Sequence, residues 1–503
     1  MATTTLTGRL SAGPARQLHD EVLAPQFQYE IGNLLPCYVL IEKILVLEYR
    51  RMNLVTAQEA QCLAQVLHEL TAAHLIPEPD GNMSDVAFAI ERHVESRLPR
   101  PVPAWHVDRS RNDLQATAQL MFARTRVLEL ADDLLAAVHA AHRAAAATTN
   151  LPMPAYTQMQ AAQVSTPAFH LTALADQLLR AAERLLATYD WLNRSPLGAG
   201  SLSGQEVAFD RVRMARLAGF TDAQPHALVC VASRGWALDI AGELSHLGVT
   251  LSRFATDLMH WAGSDRGFVS LPDELAGISS AMPQKRNYPV LERIRGRSAH
   301  LTSAYFDVAL AQRNTPYTNM VEVSKESTAG AQKLFDTAGS VLRLLTTVLG
   351  ALRFHDERMR ASCDQEFLGG FTLANQLTLT ARVPWRQAQV VAGRYVSAVM
   401  AMGLDPGNPA PALLTGIAED AGYLIEDPAG MLVRSFGDAE AGLRAKISDG
   451  STAPASVEAL ICSQSTQLDE LWNAWQKRGE AVSTAWRQVD LLLDIADTSK
   501  AAP

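Results

Sequence analysis

The segment from Ser279 to Asn287 contains the residue types of an anion-binding site. It places two adjacent hydroxyls, Ser279 and Ser280, close to Lys285 and Asn287, with Pro283 between them. An apolar core segment is not built this way, whereas a loop that gathers donors around an anion is. The alternative is a surface loop broken by proline, in which the polar residues occur by chance.

The hydroxyl of Ser279 or Ser280 can act as a base only if its proton is made labile. An isolated serine hydroxyl is far too weakly acidic at neutral pH. A nearby cation such as Lys285, together with helix N-termini, lowers that cost by stabilising the alkoxide. Lys285 and Asn287 are also suited to holding a substrate carboxylate.

Three further polar clusters each lie at the start of a predicted helix. Their main members are Arg111 with Asn112, Thr157 with Gln158, and Tyr317 with Glu322 and Lys325. Arginine and asparagine at a helix start can bind a carboxylate, because the guanidinium fork pairs with both oxygens and the helix end is positive. Each cluster taken alone is equally explained as a helix cap flanked by solvated charges.

Long amphipathic helices are predicted to position these clusters. Apolar residues recur with a period near 3.6 and few breakers over five stretches, namely 118–147, 168–192, 236–261, 290–312 and 323–352. Strand-like alternation is almost absent. We therefore predict an all-α fold with a central bundle of long helices, and with the polar clusters in loops at the bundle ends. Proline clusters and shifts in composition suggest domains at 1–113, 114–353 and 354–503.

Charge and cysteine usage exclude several classes of function. The net charge of −9 argues against non-specific binding to nucleic acid. The five cysteines are far apart and lack metal-ligand spacing, and no P-loop or Rossmann glycine pattern occurs, so neither a metal nor a cofactor is implied. No secretory signal is visible, and no apolar run is judged long enough to cross a membrane. A cytoplasmic protein acting on a small molecule is the expectation.

Four motifs in this order resemble the argininosuccinate lyase branch of the aspartase/fumarase superfamily. Residues 109–113 match its "RSRND", and 196–200 (PLGAG) are similar to its "PLGSG". Residues 279–287 (SSAMPQKRN) are similar to the signature "SSxMPxKxN", and 450–454 (GSTAP) to "GGTAP". The resemblance covers about residues 8–471, nearly the whole chain.

The resemblance implies a three-domain, almost all-helical subunit and a homotetramer whose active sites form where three subunits meet. The implied reaction is reversible anti β-elimination of a substituted succinate, which releases fumarate. By the resemblance, Ser279 would remove the Cβ proton, and Lys285 and Asn287 would stabilise the resulting aci-carboxylate. The succinyl carboxylates would be bound by Ser280, Arg111, Asn112 and Thr157, and Met282 and Gln158 would also contact the substrate. The amine side would be bound by Arg234, Tyr317, Glu322 and Lys325.

The chain departs from that branch at positions that bear on the amine. Gln158 replaces a histidine that is linked to proton transfer to the leaving group and is paired with a glutamate, here Glu292. Glutamine cannot act as a general acid. Glu322 replaces a glutamine that helps to hold the α-carboxylate of arginine, and a glutamate there would repel a carboxylate and attract an ammonium group. Tyr288 replaces a proline, and Val107 with Asp108 replace Thr-Ala.

Three hypotheses follow from the resemblance and the departures. The preferred one is a carbon–nitrogen lyase for an N-substituted aspartate that carries a short diamine, such as ethylenediamine-N,N'-disuccinate (EDDS). The second is an ordinary argininosuccinate lyase that tolerates Gln158. The third is a non-catalytic relative of the lens-crystallin kind, against which the intact Ser279, Lys285 and Asn287 argue.

Overall fold

Helices make up most of the chain. The computed structural model describes residues 9–10 and 12–495 of the 503. The N-terminal helices are α1 (Arg16–Leu18), α2 (Ala24–Asn33), α3 (Leu35–Arg51), α4 (Ala57–Glu69), α5 (Pro79–Asn82) and α6 (Val86–Arg97), with a π-helical turn at His19–Leu23. The prediction of an all-α fold is confirmed.

The central region contains the long helices that the apolar periodicity predicts. They and their shorter neighbours are α7 (Arg111–Ala146), α8 (Pro167–Leu192), α9 (Arg211–Leu217), α10 (Ala227–Ala232), α11 (Gly235–Ala262), α12 (Pro289–Gln312), α13 (Val321–Ser324) and α14 (Ala331–Ala351). Side-chain N-caps define the starts of α7 and α8: the Ser110 hydroxyl accepts the N–H of Asn112, and the Thr166 hydroxyl accepts the N–H of Phe169. The predicted bundle of long helices is confirmed.

The last predicted long helix is interrupted. Residues 323–352 were expected to be continuous, but α13 ends at Ser324, and Glu326–Thr328 form a 3-10 turn before α14 begins. Lys325 adopts φ −126° and ψ −62°, outside the helical region. The period of the apolar residues does not reveal this break, because it depends on backbone geometry at a single residue.

The C-terminal region contains shorter helices and one very long one. They are α15 (Asp356–Gln365), α16 (Gly370–Leu379), α17 (Trp385–Ala401), α18 (Pro411–Asp420), α19 (Pro428–Phe436), α20 (Ala439–Arg444) and α21 (Pro454–Leu492). Helices α16–α19 share a small hydrophobic core from Leu373 to Leu432. By contrast, α21 packs on α7 and α8, and Trp475 belongs to the main core with the N-terminal and central helices. The domain boundaries at 113 and 353 remain predictions.

Short strands form four two-stranded sheets within residues 9–10 and 12–495. They are β1 (Met153–Thr157) with β2 (Gln160–Ser165), β3 (Arg194–Ser195) with β4 (Asp222–Ala223), β5 (Val269–Ser270) with β8 (Arg353–Phe354), and β6 (Gly277–Ile278) with β7 (Arg286–Asn287). Only the β3–β4 pair is parallel. The first and last of these sheets are hairpins that carry predicted site residues.

One apolar stretch has the length of a membrane-spanning helix, which the sequence analysis did not expect. Val321–Ala351 is long and apolar enough, by length and composition alone, to cross a membrane. The expectation that no apolar run has this length is therefore wrong. Half of its most apolar window is buried inside the protein, and α14 packs against α7 and α12, which is typical of a core helix.

Candidate active site

The start of α7 presents the first predicted pair, Arg111 and Asn112. The Arg111 guanidinium pairs with Asp85 at 2.9 Å and lies over the Phe88 ring at 4.4 Å. The Asn112 amide donates to the Ser201 carbonyl oxygen at 3.0 Å. About half of the Arg111 side chain remains exposed, so its free N–H groups can meet a ligand.

A buried ion cluster fixes the turn that leads into α7. Arg109 pairs with Glu42 at 3.0 Å and with Glu91 at 2.7 Å, and His106 contacts the same two carboxylates at 2.8 Å and 3.1 Å. Burial alone lowers the pKa of His106, but the attraction of Glu42 outweighs it and the pKa is raised. Because both cations pair with both carboxylates, the turn is held rigidly next to Arg111.

Asp113 ties the first turn of α7 to the loop at 196–200. Its Oδ2 accepts the N–H groups of Gly198 at 2.9 Å and Gly200 at 3.1 Å. Both glycines have positive φ, 83° and 66°, which side chains rarely adopt. Burial raises the pKa of Asp113 to about 7, although these N–H groups act in the opposite direction.

Thr157 and Gln158 lie at the tip of the β1–β2 hairpin. The sequence reading expected a helix entrance here, and that expectation is wrong. Thr157 pairs with Gln160, which leaves Gln158 and Met159 as a two-residue turn with φ of 52° and 64°. Positive φ at both central residues is the geometry of a tight hairpin turn. Both side chains are exposed.

A contact with Arg266 stabilises the strand that leads to the tip of this hairpin. The Arg266 guanidinium lies over the Tyr156 ring at 4.0 Å, and the backbone register shifts between Ala155 and Tyr156. Such a bulge twists the strand locally. The exposed Gln158 therefore lies at the tip of a hairpin whose strands are held in place by these contacts.

Residues 279–285 form the loop of the β6–β7 hairpin, as the sequence predicts a loop here. Gly277 pairs with Asn287, and a side chain at Gly277 would come within about 3.0 Å of Pro289. The Ser279 Oγ accepts the N–H groups of Met282 at 3.0 Å and of Ala281 at 3.4 Å.

The charged and apolar side chains of this loop face outward. Ser280, Met282 and Lys285 are exposed, and Ser279 and Asn287 are partly buried. The loop therefore presents its polar groups to the outside of the single chain. A ligand or another chain can reach all of them.

Arg234 is fully buried at the start of α11. Its Nε donates to the Gln119 Oε1 at 2.7 Å, and Nη1 donates to the carbonyl oxygens of Val231 and Ser233. Nη2 has no hydrogen-bond partner among the described residues. Burial lowers the pKa of Arg234 to about 10. The same Gln119 donates from Nε2 to the Ser324 carbonyl oxygen at 2.7 Å.

Lys325 lies next to that carbonyl and forms an ion pair with Glu30 of α2. The Tyr38 hydroxyl also donates to Glu30, at 3.2 Å. Burial and then the Glu30 charge raise the pKa of Tyr38 well above its ordinary value. Tyr317 and Glu322 are exposed on the segment that precedes Lys325.

A cavity of about 340 Å³ lies between α2 and the segment 325–329. Its lining includes Tyr29, Glu30, Gln119 and Lys325. Larger cavities of about 510 and 660 Å³ lie along α8 and α11, and none of the predicted site residues lines them. The smaller cavity is therefore the one that belongs to the predicted chemistry.

The single chain brings some predicted residues together and leaves others apart. Arg234 and Lys325 are joined through Gln119, whereas the two hairpins that carry Gln158 and Ser279 are separate elements. Glu292 is exposed in the first turn of α12. The described residues show no hydrogen bond between Gln158 and Glu292, so one chain does not form the expected pair.

The sequence reading missed Glu30, Asp85, Asp113 and Gln119. Gln115 and Gln119 stand four residues apart in an alanine-rich helix, and this spacing puts both amides on one face. That signal was available. No group of three His, Cys, Asp or Glu residues suited to a metal occurs within the described ranges.

Comparison with known proteins finds relatives that align with most of this chain. The family model described as Lyase matches residues 51–302. The argininosuccinate lyase of Methanothrix thermoacetophila is 28% identical over 452 residues, which cover 90% of this chain and 91% of that protein. The argininosuccinate lyase of Hyphomonas neptunium is 32% identical over 326 residues, which cover 64% of this chain and 69% of that one.

Solved structures share the fold over the full length. Two structures of EDDS lyase, a variant with bound fumarate and a complex with formate, each match with a TM-score of 0.85 at 21% identity and cover 100% of both chains. A class II fumarase from Schistosoma mansoni matches with a TM-score of 0.67 at 13% identity, over 82% of this chain and 95% of that one. At these identities the likeness establishes the fold.

Proposed function

Because the chain belongs to the lyase family of the aspartase/fumarase superfamily, we propose that it cleaves the carbon–nitrogen bond of an N-substituted aspartate. The products are fumarate and an amine, and the reaction is a reversible anti β-elimination. The prediction that the chain is an enzyme of the lyase class is confirmed by the family match. The proposal that a carbon–nitrogen bond is cleaved is supported by the argininosuccinate lyases among its relatives.

The hydrogen bonding of Ser279 is the observation that carries this proposal. Its Oγ accepts two backbone N–H groups, from Met282 and Ala281. N–H groups aimed at an oxygen stabilise negative charge on it, which is what a serine base requires. Ser279 takes the Cβ proton, the electrons of that C–H bond move into the carboxyl group, and the aci-carboxylate forms. Lys285 and Asn287 stabilise its added charge.

The second half of the reaction expels the amine. The electron pair of the aci-carboxylate returns to form the carbon–carbon double bond, and the carbon–nitrogen pair leaves with the amine, which takes up a proton. Gln158 has no proton to give at working pH. In this proposal it orients the substrate, and the proton comes from solvent or from the ammonium form of the substrate itself.

The succinyl carboxylates bind to residues of three separate elements. Arg111 and Asn112 come from α7, Thr157 from the β1–β2 hairpin, and Ser280 and Met282 from the 279–285 loop. We propose a homotetramer in which different subunits contribute these elements to one site. The five cysteines are unpaired, which supports the predicted reducing, cytoplasmic location.

Glu322 favours a cationic amine over arginine as the leaving group. A carboxylate at this position repels an α-carboxylate and attracts an ammonium group. We therefore propose a short diamine, as in EDDS, as the amine partner. Argininosuccinate is the second candidate, favoured by the sequence relatives.

The direct test measures fumarate released by the purified protein from a panel of N-substituted aspartates. The panel contains EDDS, argininosuccinate and aspartates that carry neutral amines. We expect the highest kcat/KM with the diamine adduct. Turnover of argininosuccinate alone contradicts the diamine assignment, and complementation of an arginine auxotroph then supports the second candidate.

Replacement of Ser279 tests the base and excludes a non-catalytic relative. We expect Ser279→Ala to lower kcat by about a thousandfold or more, because removal of a proton-transfer group costs that order of rate. Ser303→Ala, an exposed serine on α12, is the matched control and should retain normal turnover. If Ser279→Ala retains activity, Ser279 is not the base.

A further inference from the structure

Gln119 is the point at which two distant segments of the site meet. Its Oε1 accepts from the Arg234 Nε at 2.7 Å. Its Nε2 donates to the Ser324 carbonyl oxygen at 2.7 Å and to the Thr328 hydroxyl at 3.3 Å. The side chain is 6% exposed, so these bonds replace water contacts almost completely.

Arg234 depends on this amide more than a buried arginine usually does. It forms no ion pair with a carboxylate among the described residues, and Gln119 supplies its one side-chain acceptor there. A buried cation is costly unless it is hydrogen-bonded. Its Nη2 remains without a hydrogen-bond partner inside the described part of the protein, so the bonds made by Nε and Nη1 are the ones that hold the guanidinium.

The other end of the amide controls the segment that carries Lys325. The chain leaves the helical region at Lys325, and the bond from Gln119 to the preceding carbonyl oxygen holds this break. Lys325 pairs with Glu30, and all three side chains line the cavity of about 340 Å³. Gln119 therefore links the buried Arg234 to the segment that places Lys325 and its partner Glu30 in the cavity.

We propose that Gln119 is a positioning residue, which holds the buried Arg234 and the segment of Lys325 in place relative to each other, on the side of the site where the amine part of the substrate binds. The proposal rests on the proposed function. It acts on the amine side, because the side-chain hydrogen bonds of Gln119 among the described residues go to Arg234, Ser324 and Thr328. Loss of the amide therefore weakens the binding of the amine and leaves the binding of fumarate unchanged.

The test uses the addition direction, in which fumarate and the amine are varied independently. Gln119→Leu keeps the approximate volume but removes the acceptor for Arg234 and the donor to Ser324. We expect the amine KM to rise by about tenfold or more, the loss of a buried charged hydrogen bond, with the fumarate KM within about twofold of wild type.

Gln115→Leu is the matched control. Gln115 lies one turn earlier on α7, is also buried, and donates to the same Ser324 oxygen through a longer bond of 3.4 Å, without contact to Arg234. We expect its amine KM to stay within about threefold of wild type. Thermal unfolding of each variant shows whether it folds.

Gln119→Glu gives a second readout that depends on pH. A protonated glutamic acid can accept from Arg234 and donate to the Ser324 oxygen, whereas the ionised form places a carboxylate oxygen against that carbonyl. The amine KM of this variant should therefore approach the wild-type value at low pH and rise with increasing pH. Wild type should lack this rise.

The outcomes separate the two proposals. An active wild type whose variants change both KM values equally, or neither, overturns the role of Gln119 and leaves the proposed function standing. A wild type that adds none of the panel amines to fumarate overturns the proposed function, and the role of Gln119 falls with it.

Discussion

At the scale of single residues, Glu322 and Gln158 separate this chain from the branch it resembles. Glu322 is exposed in the first turn of α13, and Gln158 is exposed at a hairpin tip. Neither is buried against other groups of the same chain, so neither has an evident role in stabilising the fold. The proposed function assigns both to the substrate, Glu322 through its charge and Gln158 through neutral hydrogen bonds.

Changing Glu322 should shift the choice of amine. In Glu322→Gln, we expect kcat/KM for the diamine adduct to fall by about fivefold, because a favourable charge pair of about 1 kcal/mol is lost. The value for argininosuccinate should rise, since the repulsion of its carboxylate is removed. Steady-state rates of fumarate release measure both.

The control for this change is Glu357→Gln. Glu357 is also an exposed glutamate in the first turn of a helix, and the two substrates should retain their wild-type ratio in that variant. An unchanged ratio in Glu322→Gln itself would show that Glu322 does not face the amine.

Placing histidine at position 158 should create a titrating proton donor. In Gln158→His, we expect kcat for elimination to rise as pH falls through about 6.5, the ordinary histidine pKa, because the imidazolium can protonate the leaving amine. Histidine tolerates the positive φ of this turn better than most residues. Gln160→His, on the same hairpin, should not show this rise of kcat at low pH. Superimposable pH profiles would contradict the role of position 158.

At the scale of elements, Asp113 is the contact that couples α7 to the 196–200 loop. Its carboxylate accepts two glycine N–H groups across 85 and 87 residues of sequence. The glycines are required because both adopt positive φ. This contact holds the loop whose neighbouring Ser201 accepts from Asn112.

The raised pKa of Asp113 predicts a pH dependence of stability. Its folded pKa of about 7 exceeds the ordinary 3.8, so the folded state binds the proton more tightly between these values. Stability from this group is therefore complete below about pH 4 and is lost as pH rises towards 7, by a few kcal/mol at most.

Asp113→Asn should remove this dependence. Urea midpoints at pH 5, 6, 7 and 8 should show the wild type losing stability relative to the variant up to about pH 7, with no further change above it. Each pair of midpoints is compared at one protein concentration. A constant difference across this range would show that Asp113 titrates normally.

At the scale of the whole molecule, the proposed tetramer predicts sites that are shared between subunits. If Ser279 and Arg111 act in one site from different chains, mixed tetramers of Ser279→Ala and Arg111→Met contain some intact sites. Random mixing leaves about one quarter of the sites with both residues. We expect co-expression to restore about that fraction of wild-type fumarate release.

The control mixes two defects in the same segment. Ser279→Ala with Lys285→Met should restore nothing, because each 279–285 loop then carries one defect. Equal recovery in both mixtures, or none in either, would contradict a site shared between the α7 start and this loop.

The amino-acid sequence by itself determined the reaction class and the helical fold. Both are encoded locally: the 279–287 and 109–113 motifs are contiguous, and the period of the apolar residues predicts α8, α11 and α12 to within one residue. The period places the start of α7 seven residues too late, misses the break at Lys325, and gave no prediction of the longest helix, α21. The hairpin at 153–165 was missed, because its strands are short and its turn uses Gln158 and Met159 instead of glycine.

Only the tertiary structure brought distant residues together. Arg234 and Ser324 meet at Gln119 across more than a hundred residues, Glu30 meets Lys325 across 295, and α21 returns to the main core. Such contacts are decided by how helices pack, and a helix period does not specify which residues of two helices face each other. The sequence thus determined which chemistry is present, and packing decided which amides and carboxylates lie next to Arg234 and Lys325.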